Sequence, residues 1–345
     1  RLCGFLRMSL VRKFAVSAGG EAPLFNAVTW SGTGSSQSIT GVGFQPDFVW
    51  AKAYNQVTGH SVYDVIRGVN KAIFPSATAA ESDRSGVGGS LTSFDSDGFS
   101  VGTDSGTTTG LTNSGYNYVG WCWKAGGTAS SNTDGAITSS VSANSSGGFS
   151  VVSWTATNSS SNVGHGLGVA PELILIKSRT STSSWQVYTT GIDGSLDYLF
   201  LNNTNAKANS GLSSPTSSVF SVSHTEGAGS NIGSNNYIAY AFSSVDGLID
   251  IGVYTGNGTT KTVTTGFQPA IVLAKRTDTT GNWTIADDAR VTSGSSHFLY
   301  PNLTNVQSVS AVTTMTSTGF ELSGSGGDYN ASGGTYLYMA IKGVD

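Results

Sequence analysis

The sequence predicts an all-β protein: three tandem β-sandwich modules of jelly-roll or lectin-like type, preceded by an N-terminal arm. Three observations carry that expectation. Glycine fills 46 of 345 positions, about twice the usual ~7%, and charged residues are 11% against a typical ~25%. Strong helix formers in runs are scarce, while β-branched, aromatic and turn residues abound. A proline-led apolar run occurs three times, and aromatic landmarks keep their order around each occurrence.

The N-terminal segment, residues 1–21, reads as an extended arm. It is locally basic, with Arg1, Arg7, Arg12 and Lys13, and carries Leu6, Leu10, Val11, Phe14 and Val16. Arg7, Leu10, Arg12, Lys13 and Phe14 are its candidate docking residues, aimed at an acidic neighbouring subunit. The basic residues interrupt any hydrophobic leader, and Met8 is an alternative initiator.

The repeat follows from register. Gly43-Phe44-Gln45-Pro46-Asp47-Phe48-Val49-Trp50-Ala51-Lys52 is matched by Gly168 to Lys177 and by Gly266-Phe267-Gln268-Pro269-Ala270-Ile271-Val272-Leu273-Ala274-Lys275. Each proline stands six residues before its lysine. Trp30, Trp154 and Tyr254 lie upstream; Phe99, Phe220 and Phe320 lie downstream. Each copy closes on an aromatic strand: Tyr118 to Trp123, Tyr237 to Phe242 and Tyr336 to Ile341. The modules therefore occupy residues 22–126, 147–245 and 246–345. Residues 127–146 read as a flexible Gly/Ser/Asn linker, so the second and third modules should be coupled more rigidly than the first and second.

Within a module, the proline cannot donate to a ladder and marks a strand start. The apolar run after it suits a central strand covered on both faces, and its terminal lysine should mark the exit to solvent. The closing strands alternate large and small residues, which places aromatics on one face toward a second sheet. Ser61–Lys71 is the only segment with helical character.

Candidate chemistry is sparse. His60, His165, His224 and His297 fall at non-equivalent places, and His60 and His297 sit in turn-rich segments expected to be exposed. No nucleophile elbow, metalloprotease helix or paired-carboxylate strand is present, so the chain is not read as an enzyme, and no catalytic, cofactor or metal residue is assigned. Asp95-Ser96-Asp97-Gly98 has the opening spacing of a calcium loop. It lacks the later bidentate acid and reads better as an Asp-Gly turn. Trp185 and Trp283, at equivalent positions beside polar turns, are candidates for stacking on sugar rings. Cys3 and Cys122 are too few for a disulfide framework, and Cys122 should be a buried thiol. The net charge of −4 offers no basic field for nucleic acid, and no stretch approaches the ~18 apolar residues of a membrane helix. The copies are expected to share a scaffold and no polar constellation.

Phe25-Asn26, the Gly-Phe-Gln-Pro-Asp-Phe-Val-Trp run, Val65-Ile66-Arg67-Gly68-Val69-Asn70-Lys71, Phe94-Asp95-Ser96-Asp97-Gly98-Phe99 and Tyr118 to Lys124 together resemble an uncharacterised β-rich repeat domain. That domain is found in structural proteins of tailed phages, especially marine ones, often beside lectin-like sandwiches in tail-fibre or other virion proteins. The likeness is strongest over residues 22–126 and weakest in the second copy, which has Gly168-Val169-Ala170-Pro171. It implies a virion role. With the charge-poor, Ser/Thr/Gly/Asn-rich composition and the ordered modules, the expectation is a non-catalytic virion structural protein displayed on the particle, as a tail fibre or head-decoration appendage, in a homo-oligomer with capsid or tail subunits as partners. A carbohydrate-binding adhesin for host surface glycans is the alternative. The resemblance assigns no site residue.

Overall fold

Phe48–Ala53, Leu173–Ser178 and Pro269–Arg276 are the anchor strands that follow the three landmark prolines. Ahead of each, Gly43, Gly168 and Gly266 adopt φ of +86°, +77° and +85°, a left-handed turn that a side chain would strain. The computed structural model describes residues 24–103, 109–225, 229–308, 310 and 312–344. The docking-arm residues Arg7, Leu10, Arg12, Lys13 and Phe14, and Cys3 with them, lie outside the described residues.

Each anchor strand sits in an antiparallel sheet of one order: opening, closing, anchor, outer strand. The opening strands are Phe25–Ser31, Phe149–Thr155 and Ile249–Thr255. The closing strands are Asn117–Trp123, Asn236–Phe242 and Thr335–Lys342, and the outer strands are Ser61–Asp64, Gln186–Thr189 and Trp283–Asp287. Registers coincide as well. Asp64 lies opposite Phe48, Thr189 opposite Leu173 and Asp287 opposite Ile271.

Every large sheet is covered on both faces. One face packs on a small companion sheet around a core of its own; in the first sheet Val49, Ala51, Tyr118 and Cys122 meet Ile39, Phe99 and Val101. The opposite faces of all three large sheets converge on one central core containing Phe48, Trp50, Trp121, Leu175, Tyr240, Phe242, Ile271, Leu273, Met339 and Ile341. Double burial explains why the anchor runs are continuously apolar and not alternating.

The sequence landmarks meet in space. Trp30, Trp154 and Tyr254 stack on Tyr118, Tyr237 and Tyr336 with centroids 5.2, 5.4 and 5.0 Å apart. Phe99, Phe220 and Phe320 take the edge-on place against them, at 5.5, 5.7 and 6.2 Å. The three stacked tyrosine hydroxyls each accept a backbone N–H five residues upstream, from Asn113, Ile232 and Ala331. One aromatic trio thus fastens each large sheet to its companion.

Three expectations need correction. The helical segment around Ser61–Lys71 is the first outer strand followed by a turn; Asp64 Oδ1 accepts the N–H groups of Ile66 and Arg67 and ends the strand. Among the described residues there is no helix. The linker at 127–146 carries strands Ser130–Asn132 and Ser139–Asn144, which extend the second sheet beyond its opening strand and satisfy backbone groups that a free linker would leave to water. Large closing-strand side chains such as Trp121, Trp123, Tyr240 and Phe242 point to the central core, not to the companion sheet. Cys122 is buried and free, as its strand position implied.

A shared central core makes one unfolding unit. Leu175→Ala removes about 2–5 kcal/mol, and calorimetry should show one endotherm moved to lower temperature. Two separated endotherms would contradict the shared core.

Candidate functional site

Three seams join the large sheets, and equivalent backbone atoms build each one. Twelve places after the anchor proline, Thr58, Ser183 and Gly281 donate their amides to Thr304, Thr78 and Thr204 carbonyls at 3.0, 2.9 and 2.9 Å. A reciprocal bond returns from Gln307, Glu81 and Lys207 to the carbonyls of Tyr54, Arg179 and Thr277. The first sheet therefore docks on the third, the second on the first and the third on the second. The ring is closed, and the first–second seam is built like the second–third, contrary to the uneven coupling expected.

Two places further along lie His60, Trp185 and Trp283. The Trp185 and Trp283 indoles donate across their seams to Phe74 O at 2.9 Å and Phe200 O at 2.8 Å. Both are 1% exposed, so the sugar-stacking role assigned to them fails: the position faces a seam, and neither ring offers a face to solvent. His60 holds the same place in the first sheet, with Nε2 3.0 Å from Tyr300 O. It is fully buried, not exposed in a turn. The Trp50 indole, which can only donate, lies 2.9 Å from Nδ1, so Nδ1 accepts and Nε2 carries the hydrogen. Burial holds the His60 pKa well below the usual histidine range, and the Lys52 charge lowers it further. His165 is also buried, His297 half-buried and His224 exposed.

Lys52, Lys177 and Lys275 do not exit to solvent; they are 1%, 0% and 0% exposed. Each ammonium turns back onto the carbonyl of the next residue, Ala53, Ser178 or Arg276. Lys52 adds Gln56 O and Thr58 Oγ1. Lys177 and Lys275 instead reach across their seams to Thr78 O and Thr204 O. Burial pulls Lys52 down to about 7, with Arg290 the smaller cause, and Lys177 and Lys275 to about 8.

A polar constellation shared by two sheets escaped the sequence reading. Asp64 and Arg67 form a buried pair at 2.5 Å, and Asp287 and Arg290 one at 2.6 Å. Their common distance from the landmark proline was the available signal. Each aspartate also receives a donor from the neighbouring sheet: Tyr240 Oη at 2.7 Å on Asp64, and Trp121 Nε1 at 3.0 Å on Asp287. At the second–third seam the acid is Thr189, the arginine position Ile192 and the donor position Met339. The acid, its cation and the facing donor are present together or replaced together, as expected where an unpaired buried polar group is costly.

Asp95 and Asp97 take separate partners. Asp95 Oδ2 accepts from Ser100 at 2.6 Å, and Asp97 caps the Gly41 and Gly43 amides, which is the turn reading. A shallow open depression of about 190 Å³ on the added strands of the second sheet is lined by Gly126, Thr128, Ser130, Asn132, Val141 and Gly166 among others, with no ionisable side chain.

A family model described as Domain of unknown function (DUF7483) matches residues 21–343, across all three sheets. No curated protein and no solved structure matches the chain.

Two outcomes are expected. Asp64→Thr alone removes the closest partner of buried Arg67, leaving it Glu81 at 3.4 Å, and should cost about 3–5 kcal/mol; the triple variant Asp64→Thr, Arg67→Ile, Tyr240→Met rebuilds the seam in the second–third form and should cost less, by urea denaturation. Between pH about 7 and about 9.5 the folded chain releases lysine protons that the unfolded chain, with pKa ~10.4, retains. Unfolding then takes up protons, so stability rises with pH across that window, and Lys52→Met should flatten the rise in urea midpoints.

Proposed function

The chain belongs to the DUF7483 family, and from that premise we propose that it is a non-catalytic structural protein of a bacteriophage virion. It is displayed on the particle surface as a tail fibre or head-decoration appendage, and is built of three tandem jelly-roll-like sandwich modules. The observation that carries this reading is how the buried polar groups are used. Asp64, Arg67, Asp287, Arg290, His60 and the three anchor lysines all hold strand to loop or sheet to sheet. In an enzyme, groups of these types converge on a cleft where a substrate could reach them. The low charge and the Ser/Thr/Gly-rich surface suit a durable extracellular part, and the sequence resemblance points to the same setting. Its partners are capsid or tail subunits, and further copies of the chain.

The adhesin alternative loses the two tryptophans that supported it, since Trp185 and Trp283 are seam residues. Any contact with host glycans would fall to the variable outer turns.

Immunogold labelling of purified virions, with antibodies raised against the recombinant chain, tests the proposal. Labelling at a fixed place on head or tail is expected. Particles that lack the chain, by labelling and by mass spectrometry, would refute it.

A further inference from the structure

The chain passes directly from the first sheet into the second and from the second into the third. The seam between third and first is closed by noncovalent contacts alone, including Val344 N to Phe25 O at 3.1 Å. That seam also has a histidine where the other two have tryptophan. We propose that His60 is an acid-sensitive clasp whose protonation opens the third–first seam while the two tryptophan seams stay shut.

The geometry leaves the imidazole no place for a second proton. Nδ1 accepts the Trp50 indole N–H at 2.9 Å, and Nε2 faces Tyr300 O at 3.0 Å. A proton on Nδ1 would set two donors against each other in a fully buried site. The ring is packed edge-on against Trp50 and stacked on Trp121, with centroids 5.8 and 6.2 Å away. Neither can turn aside without disturbing the central core.

The charged neighbours act in the same direction. Lys52 faces His60 from its own sheet and Arg290 from the third; both disfavour another positive charge. Asp287 does not relieve it, because its Oδ2 is held by Arg290 and the Trp121 indole. Tyr54 and Tyr300 also titrate at this seam, and Asp328 and Tyr329 act on Tyr300. Lys52 bonds only within its own strand and loop, so opening leaves its partners in place. Trp50 belongs to the same sheet as His60, and the Tyr300 bond by itself favours the charged ring. Separating the seam therefore relieves protonation by removing Arg290, admitting water and giving the ring room to turn Nδ1 from the indole, so that His60 titrates near its ordinary value of ~6.5.

Amide exchange of the full chain tests the clasp. Protection factors are compared between pH 7.5 and 5.0, with Thr58 and Gln307 reporting on the third–first seam. Ser183 and Glu81, and Gly281 and Lys207, report on the other two. The third–first pair should lose protection by up to tenfold per pH unit below about 6.5, with the others unchanged. His60→Gln, which can accept from Trp50 and donate to Tyr300 O without titrating, should abolish that difference. Equal protection at all three seams at pH 5.0 overturns the proposal, as does a glutamine variant with the wild-type pH response. If that variant does not fold, the wild-type imidazole signals decide: titration of His60 while Thr58 and Gln307 stay protected overturns the clasp, and titration only as protection is lost supports it.

Discussion

The inner faces of the three large sheets cannot be covered by their own companion sheets, and this constraint governs the rest of the structure. Each companion sheet hides one face of its large sheet. The other, lined by residues such as Phe48, Trp50, Leu175, Tyr240, Leu273 and Met339, is apolar and has only the neighbouring large sheets to bury it. Closure into a ring is the arrangement in which all three faces leave water together. The anchor strand is consequently central in two senses, within its sheet and between two cores, and its sequence is apolar at every position before the lysine.

Closing that core places polar groups where water cannot follow, and the seams show how each is satisfied. Backbone amides and carbonyls are exchanged in reciprocal pairs at every seam. Buried ammonium groups turn onto carbonyls, and buried carboxylates hold an arginine three residues on and a donor from the adjacent sheet. Where the second sheet dispenses with the acid, its arginine and the facing donor disappear as well. The positions vary as sets because a single change would leave an orphaned charge, whereas an apolar substitution of the whole set costs little.

Much of the fold was legible because its determinants are local. Left-handed Gly43, Gly168 and Gly266 and the prolines that open the anchor strands recur at fixed spacing, and the stacked aromatics recur in fixed order around them. A repeated spacing marks a repeated environment. The site was less legible. Trp185, Trp283 and His60 stand beside polar turns, which suggests exposure to solvent when the sequence is taken alone. The terminal lysines suggest a strand leaving the core. Both inferences fail for one reason: the turn beside them packs against another sheet, 83, 111 or 240 residues away. The strands at Ser130–Asn132 and Ser139–Asn144 were hidden because serine and asparagine pair as well with an open sheet edge as with water.

The amino-acid sequence by itself determined that the chain is all-β, where its three anchor strands begin, and which aromatics recur in order in each copy. These depend on spacing, turn geometry and side-chain shape within a hundred residues. Only the tertiary structure decided that the three sheets close on a common core, and that His60, Trp185 and Trp283 are seam residues. It also showed that Asp64 and Asp287 draw donors from neighbouring sheets. Those relations join atoms far apart in the chain, and only closure of the ring brings them within hydrogen-bond reach.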